Sequence, residues 1–166
     1  MSQANRLTSA KELLIHKAPG KMSEFFPLLL EFQASGGTLE KQRVIEVVMD
    51  CVDAVPQLSY LSAATGCVRQ MLNDSYLSVV KSAILATKRL VVLSLHALSY
   101  SSEAQKVEAR SHWQALVGVI DTVISPTLTQ HRNQGVKILA FKLMEQIVLM
   151  TSAVSCPGLK GAHLHH

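Results

Sequence analysis

Aromatic and charged side chains are both scarce in this chain of 166 residues: aromatic residues make up 5% of it and charged residues 17%. Motifs of common enzyme sites are missing as well. The sequence has no Gly-x-Ser-x-Gly turn of the hydrolase type and no glycine-rich phosphate-binding loop. We therefore expect that the protein is not an enzyme and that it binds no cofactor.

Histidine and cysteine are present, but their spacing predicts neither a metal site nor a disulfide framework. Four histidines have no histidine or cysteine partner three or four positions away: His16, His96, His112 and His131. The other three fall within the last four residues and indicate a solvated tail. Three widely spaced cysteines are typical of a reducing compartment. We expect Cys51 and Cys67 to be buried, and His96, on an apolar helix, to lie in the core.

Long uninterrupted apolar segments are also missing, although 48% of the residues are hydrophobic. The longest helical pattern, residues 75–99, is interrupted by basic side chains, whereas a membrane span needs roughly 18 apolar residues in a row. We therefore expect no membrane association. The net charge of +4 is only mildly basic. With so few aromatic side chains to stack on bases, we expect no direct RNA contact.

The apolar residues recur at the 3.6-residue spacing of amphipathic helices, and strand signals are absent. This spacing predicts seven helices, over residues 5–16, 21–34, 38–55, 57–73, 75–99, 102–124 and 132–153. Proline and glycine fall between most of them, and we expect Thr38, Ser75 and Ser102 to be N-caps. The predicted fold class is all-α.

An apolar helix, a polar turn and a second apolar helix with an early lysine occur three times in this order. The lysines are Lys41, Lys81 and Lys137, which are 40 and 56 residues apart. A helix pair of about 40 residues is the unit of HEAT and armadillo repeats. We therefore expect residues 1–155 to form a HEAT-like α-solenoid of antiparallel helices with about three and a half repeats. Residues 156–166 are expected to be a disordered tail or an added sequence.

The repeated lysines predict a basic ridge, because equivalent positions of stacked repeats line up on one face. Its expected members are Lys41, Lys81 and Lys88, which together would bind an acidic or phosphorylated partner. The alternative is that these side chains extend over the apolar core and only aid solubility. The last helix is apolar on two sides, with Met144, Val148 and Met150 among its residues. We therefore also expect self-association at this end of the array.

Three blocks of the sequence resemble, in the same order, the N-terminal HEAT-repeat domain of the symplekin family. Residues 11–17 and 30–34 are similar to its QELIINK…IAFQA pattern, and residues 71–85 to MLLRDE…VVKKAIL. Residues 136–148 are similar to IRTHAIKFVEGLIV. The likeness covers about residues 5–153. It departs from the family at Asp74, which stands where the family has an acidic pair.

The resemblance implies a nuclear scaffold of the machinery that cleaves and polyadenylates pre-mRNA. In that family the domain docks the phosphatase that acts on the C-terminal repeats of RNA polymerase II. A lysine of the family's docking surface falls on Lys142 here, with Lys137, Glu145 and Gln146 beside it. The alternative function is a cytoplasmic transport or vesicle-coat solenoid that binds linear peptides.

Overall fold

The computed structural model describes residues 3–17 and 19–155, and in these ranges it contains helices and turns but no strand. The α-helices are α1 (Gln3–Glu12), α2 (Met22–Ser35), α3 (Thr38–Ala54), α4 (Leu58–Leu72), α5 (Leu77–Tyr100), α6 (Glu103–Val119), α7 (Ser125–Gln130) and α8 (Gln134–Ser155). The all-α fold class is therefore confirmed. The predicted tail, residues 156–166, lies outside the described residues, as does Cys156.

The helices pack in two layers, as in an α-solenoid. Helices α1, α3, α5 and α8 are successive neighbours in one layer, and α2, α4 and α6 are successive neighbours in the other. Helix α5 is central because it contacts α3 and α8 in its own layer and α4 and α6 in the other. This position explains the high apolar content of the chain, since an interior helix needs apolar side chains on more than one side.

The core runs between the two layers. Helix α5 alone buries nine residues: Val79, Val80, Ala83, Ile84, Ala86, Thr87, Leu90, Val91 and Ser94. The hydroxyl of Thr87 is satisfied within the helix, because its Oγ1 donates to the carbonyl of Ala83 at 2.8 Å. Each fully buried aliphatic side chain contributes about 1.5–3 kcal/mol to stability through removal from water. The Phe26 and Tyr60 rings stack at 5.1 Å and join α2 to α4.

The sixth helical segment extends further than the sequence predicted. A π-helical turn, Ile120–Ile124, follows α6 and leads directly into α7. Proline lacks the amide hydrogen of an α-helical bond, so Pro126 was expected to end the helix. The wider π turn accommodates it: the Ser125 amide donates to the carbonyl of Ile120, five residues back. The Thr127 hydroxyl then donates to the carbonyl of Val123.

The predicted N-caps are wrong in detail. Thr38 is the first residue of α3, whose N-cap is Gly37, and α5 is preceded by Tyr76 rather than Ser75. Ser102 does occupy the N-cap of α6, but its side chain makes no capping hydrogen bond. The carboxylate of Asp74 orders the turn before α5 instead, because its Oδ1 accepts from the Tyr76 amide at 2.9 Å.

Helix α8 has an open outer face. Four of its large apolar side chains are exposed: Ile138 at 46%, Phe141 at 61%, Val148 at 57% and Leu149 at 61%. The expectation of exposed apolar residues on this helix holds for Val148, whereas Met144 and Met150 are half-buried and pack against the core. Within the described part of the chain, no helix has the length and apolarity needed to cross a bilayer.

Candidate partner-binding surface

The first lysine of the predicted ridge, Lys41, is engaged within the protein. Its Nζ lies 2.7 Å from Oδ2 of Asp74, and the two side chains are only 21% and 8% exposed. Hydrogen bonding from Lys41 lowers the pKa of Asp74, and the amides of Tyr76 and Ser75 act in the same direction. This pair ties α3 to the turn that precedes α5. The ammonium of Lys41 is therefore not a free contact for a partner.

The second lysine, Lys81, reaches the next turn of the array. It is half-buried, and its Nζ lies 3.1 Å from the point where a Cβ would stand on Gly135. Glycine at this position leaves the lysine room to lie over the start of α8. Beside it, Oδ1 of Asn133 accepts from the Val136 amide at 3.0 Å. Lys41 and Lys81 thus each extend from one helix of their layer to the turn before the next.

A cleft of about 350 Å³ between α5 and α8 brings together four residues that the sequence singled out. Lys88 comes from α5, while Lys142, Glu145 and Gln146 come from α8. Its apolar lining consists of Ile84, Leu85, Leu139 and Leu143. We call this cleft the α5–α8 groove. Residues 88 and 142 are 54 positions apart in the sequence, and the packing of α8 on α5 brings both to the groove.

The charged groups of the α5–α8 groove are available to a partner. Lys88, Lys142 and Glu145 are exposed, and none of them forms an ion pair with another described residue. Two ammonium groups and one carboxylate around an apolar floor can bind an acidic side chain beside an apolar anchor. Lys142 is exposed because helical rotation takes it out of the buried stripe of α8, which contains Val136, Ala140 and Leu143.

Lys137 does not line the α5–α8 groove, although it lies on the same helix. It is half-buried in the first turn of α8, and its amide donates to the carbonyl of Asn133. At about 100° per residue, the five positions from Lys137 to Lys142 rotate the side chain by about 140°. The structure therefore separates Lys137 from the other three residues of the predicted docking set.

Leu85 was not among the residues predicted for a site, and its side chain is 57% exposed. It lines the α5–α8 groove and also a smaller cleft of about 180 Å³ between α3 and α5. Arg89 borders that smaller cleft and is held by carboxylates of α3, with contacts to both Asp50 and Asp53. Leu85 thus forms an apolar ridge between two grooves. Leu85 lies three residues before Lys88 and therefore on the same helix face, and this spacing could have indicated that it lines the same groove.

Histidine placement differs from the expectation. His96 is exposed and its ring lies 4.5 Å from that of Tyr100, so the prediction of a core histidine is wrong. His112 is the buried one. Its Nε2 lies 2.8 Å from the Ser94 hydroxyl and its Nδ1 lies 3.4 Å from that of Ser62. Burial lowers the pKa of His112, so this ring is a neutral, hydrogen-bonded part of the core.

In the described ranges, no three histidine, cysteine or carboxylate side chains converge. Cys51 and Cys67 are buried free thiols, as predicted. Burial raises the pKa of Cys51 to about 11 and that of Cys67 to about 12.

Neither models of known protein families nor a search of curated proteins gives a match.

Proposed function

We propose that this protein is a non-enzymatic helical scaffold that holds a protein partner in the α5–α8 groove. The observation that supports this function best is the convergence of Lys88, Lys142, Glu145 and Gln146 on one cleft. Lys142, Glu145 and Gln146 were expected from the family resemblance, and Lys88 was expected because it lies seven residues after Lys81 on the same side of α5. The two lysines have no ion-pair partner in the described residues and lie next to apolar side chains. They therefore suit a partner protein whose surface carries acidic and apolar groups.

The symplekin resemblance supplies a specific partner for this groove. On that basis the partner is the phosphatase of the RNA polymerase II C-terminal repeats, and the process is pre-mRNA 3′-end cleavage and polyadenylation in the nucleus. The groove would orient the phosphatase, and further cleavage and polyadenylation factors would bind elsewhere on the array. Lys142 is the residue on which this proposal depends most, because it matches the docking lysine and is also exposed.

The alternative is a transport or coat solenoid that binds linear peptides. The position of Leu85 favours this alternative. Leu85 lines two parallel grooves, one on each side of α5, and an extended segment that crosses the helix layer would fit both of them. An extended peptide would place alternate side chains in the two grooves. Such a ligand would not require a folded phosphatase surface.

Calorimetric titration distinguishes the two functions. The full chain is titrated with the purified phosphatase of the same organism, and we expect saturable binding in the micromolar range or tighter. A matched titration uses the phosphatase with its acidic surface residues neutralised, which should bind more weakly. No binding of the unmodified phosphatase, together with co-purification of coat or nuclear-pore proteins from cells, would favour the peptide-binding alternative.

A further inference from the structure

A cleft of about 500 Å³ lies between the start of α5 and the turn that joins α7 to α8. We call it the α7–α8 cleft. It is lined by Leu77 of α5, Gln130 of α7 and the turn residues His131, Arg132 and Asn133. This cleft and the α5–α8 groove share no lining residue. A ligand of the α7–α8 cleft would therefore be additional to the partner of the proposed function.

The ammonium group of Lys81 lies beside the α7–α8 cleft. Lys81 follows Leu77 by four residues, so the two side chains share one face of α5. The Nζ atom of Lys81 and the Oδ1 atom of Asn133 each lie 3.1 Å from the point where a Cβ would stand on Gly135. The Lys81 ammonium and a lining residue of the cleft therefore meet at one turn.

The positive charges at the α7–α8 cleft are not neutralised by the described residues. Lys81 and Arg132 form no ion pair with any of them. The described lining of the cleft contains no carboxylate. Asp74, in the turn before α5, is bonded elsewhere, because its Oδ2 lies 2.7 Å from the Nζ of Lys41. The cleft therefore offers two uncompensated cations to an anionic ligand.

The ring of His131 adds a hydrogen-bond donor to these two cations. Its Nδ1 accepts from the Asn133 amide at 3.0 Å, so in the neutral ring the proton is on Nε2. This N–H group has no acceptor among the described residues and can donate to a ligand. The first turn of α8 is not needed as a donor, because the amides of Val136 and Lys137 are already bonded to Asn133.

We propose that the α7–α8 cleft binds a phosphorylated serine or threonine side chain of a partner protein. A phosphate group of this kind carries about −1.5 to −2 charges at pH 7 and has three acceptor oxygens. Arg132 can bind two of the oxygens at once, and the Lys81 ammonium and the Nε2–H of His131 can bind the third. A carboxylate has one charge and two oxygens, so it would leave part of this donor set unpaired.

The α7–α8 cleft suits a phosphorylated protein segment better than a free phosphate ion or a nucleotide. Its volume exceeds that of a phosphate ion, so the residue that carries the phosphate also fits. Leu77 is 42% exposed and can contact a neighbouring apolar residue of the partner. The described lining contains no phenylalanine, tyrosine or tryptophan, so a nucleotide base would lack such a ring on which to stack.

Nuclear magnetic resonance titration of the isotope-labelled full chain with N-acetyl-phosphoserine methylamide tests the site. We expect saturable shifts of the amide signals of residues 77–81 and 130–135, with a dissociation constant of about 1 mM or less. The unphosphorylated serine compound should cause no shifts. Inorganic phosphate and adenosine monophosphate should each bind more weakly than the phosphoserine compound, by about threefold or more.

Charge variants separate the α7–α8 cleft from the α5–α8 groove. Arg132→Glu should weaken binding of the phosphoserine compound by about tenfold or more, and Lys81→Met should also weaken it. Lys81→Arg, which keeps the charge, should bind within about twofold of the wild type. Lys88→Glu is the matched control, because it reverses an exposed charge of the groove only, and should also bind within about twofold.

Four results would overturn the proposal. Absence of saturable shifts, or shifts confined to the α5–α8 groove, would show that the α7–α8 cleft binds no phosphoserine. Equal affinity for inorganic phosphate would assign the cleft to the free ion. Tighter binding of adenosine monophosphate would assign it to nucleotides. Unchanged affinity of Arg132→Glu, with the circular dichroism of the wild type, would remove the arginine from the site. Because no phosphatase is present, each result is independent of the proposed function.

Discussion

Lys41 and Asp74 form an ion pair with 2.7 Å between Nζ and Oδ2, and it joins α3 to the turn between α4 and α5. Both side chains are largely buried, and the carboxylate also accepts the Tyr76 amide. Lys81 lies over the corresponding turn before α8, next to Gly135. The early lysine of the first repeat therefore holds the turn before α5 through an ion pair, whereas Lys81 is shown only to lie beside the start of α8.

Removal of the Lys41 ammonium should destabilise the fold. We expect Lys41→Met to cost about 1–3 kcal/mol in unfolding free energy, because it leaves the Asp74 carboxylate buried and without its main partner. Asp74→Asn should cost less, since an amide oxygen can still accept from the Tyr76 amide. Urea unfolding of both single variants and the double variant measures the coupling. If the losses in unfolding free energy from Lys41→Met and Asp74→Asn were additive, the two side chains would not be coupled, and this would contradict a stabilising role of the ion pair.

A matched pair for comparison lies on α6, where Lys106 and Glu103 interact on the surface at 2.7 Å. The Glu103 side chain is 89% exposed, so this pair is screened by solvent. Lys106→Met should change the unfolding free energy by less than about 0.5 kcal/mol. A cost as large as that of Lys41→Met would show that burial does not account for the difference between the two pairs.

His112 should make the protein less stable in mild acid. Burial lowers its pKa in the folded state, so below the ordinary value of about 6.5 the unfolded chain binds this proton more readily. Stability from this group is complete above that value and falls as the pH drops towards the folded-state pKa, by at most about 1.4 kcal/mol per pH unit. Urea unfolding between pH 7.5 and pH 5 measures this loss.

The variant His112→Gln isolates the effect of this ring from that of the other histidines. Its unfolding free energy should be lower at pH 7.5, but should fall less than that of the wild type on acidification. An identical loss in wild type and His112→Gln would mean that the buried imidazole is not the titrating group.

The two buried thiols should be unreactive in the native protein. Cys51 and Cys67 are 0% and 2% exposed, and their pKa values of about 11 and about 12 leave little thiolate at neutral pH. In a Cys156→Ser background, Ellman's reagent should label neither thiol before unfolding and both after addition of guanidinium. Fast labelling of the folded chain would show that one of them is accessible.

The helices could be predicted from the sequence because each has a long apolar repeat, as in α5, where Val80, Ile84 and Val91 follow one face. The extension of the helix through Pro126 could not be predicted, because it depends on a π turn that the amino-acid composition does not indicate. The role of Asp74 was equally hidden, since its partner is 33 residues away. His96 and His112 both lie on apolar helices, and only the packing decides which is buried.

The docking residues were predictable in part. The exposure of Lys142 follows from helical rotation, which takes it out of the buried stripe of α8, whereas its assignment to a docking surface came only from the family resemblance. Its proximity to Lys88 depends on how α8 packs on α5, which spacing alone does not provide. The same rotation explains why Lys137, although only five residues away, does not line the groove. The exposure of an apolar residue such as Leu85 cannot be predicted from a sequence pattern in which every leucine is assigned to the core.

The central claim is that the α5–α8 groove binds a partner, and calorimetry of the polymerase-tail phosphatase with four forms of the chain tests it most directly. Lys88→Glu and Lys142→Glu should each weaken binding tenfold or more, about 1.4 kcal/mol, without loss of helix content. Lys88 lies on α5, outside the exposed apolar face of α8, so the effect of Lys88→Glu reports on the α5–α8 groove alone. Arg110→Glu, at an exposed position of α6, should bind within about twofold of the wild type. Equal affinities of the wild type, Lys88→Glu and Lys142→Glu would contradict the assignment of this groove.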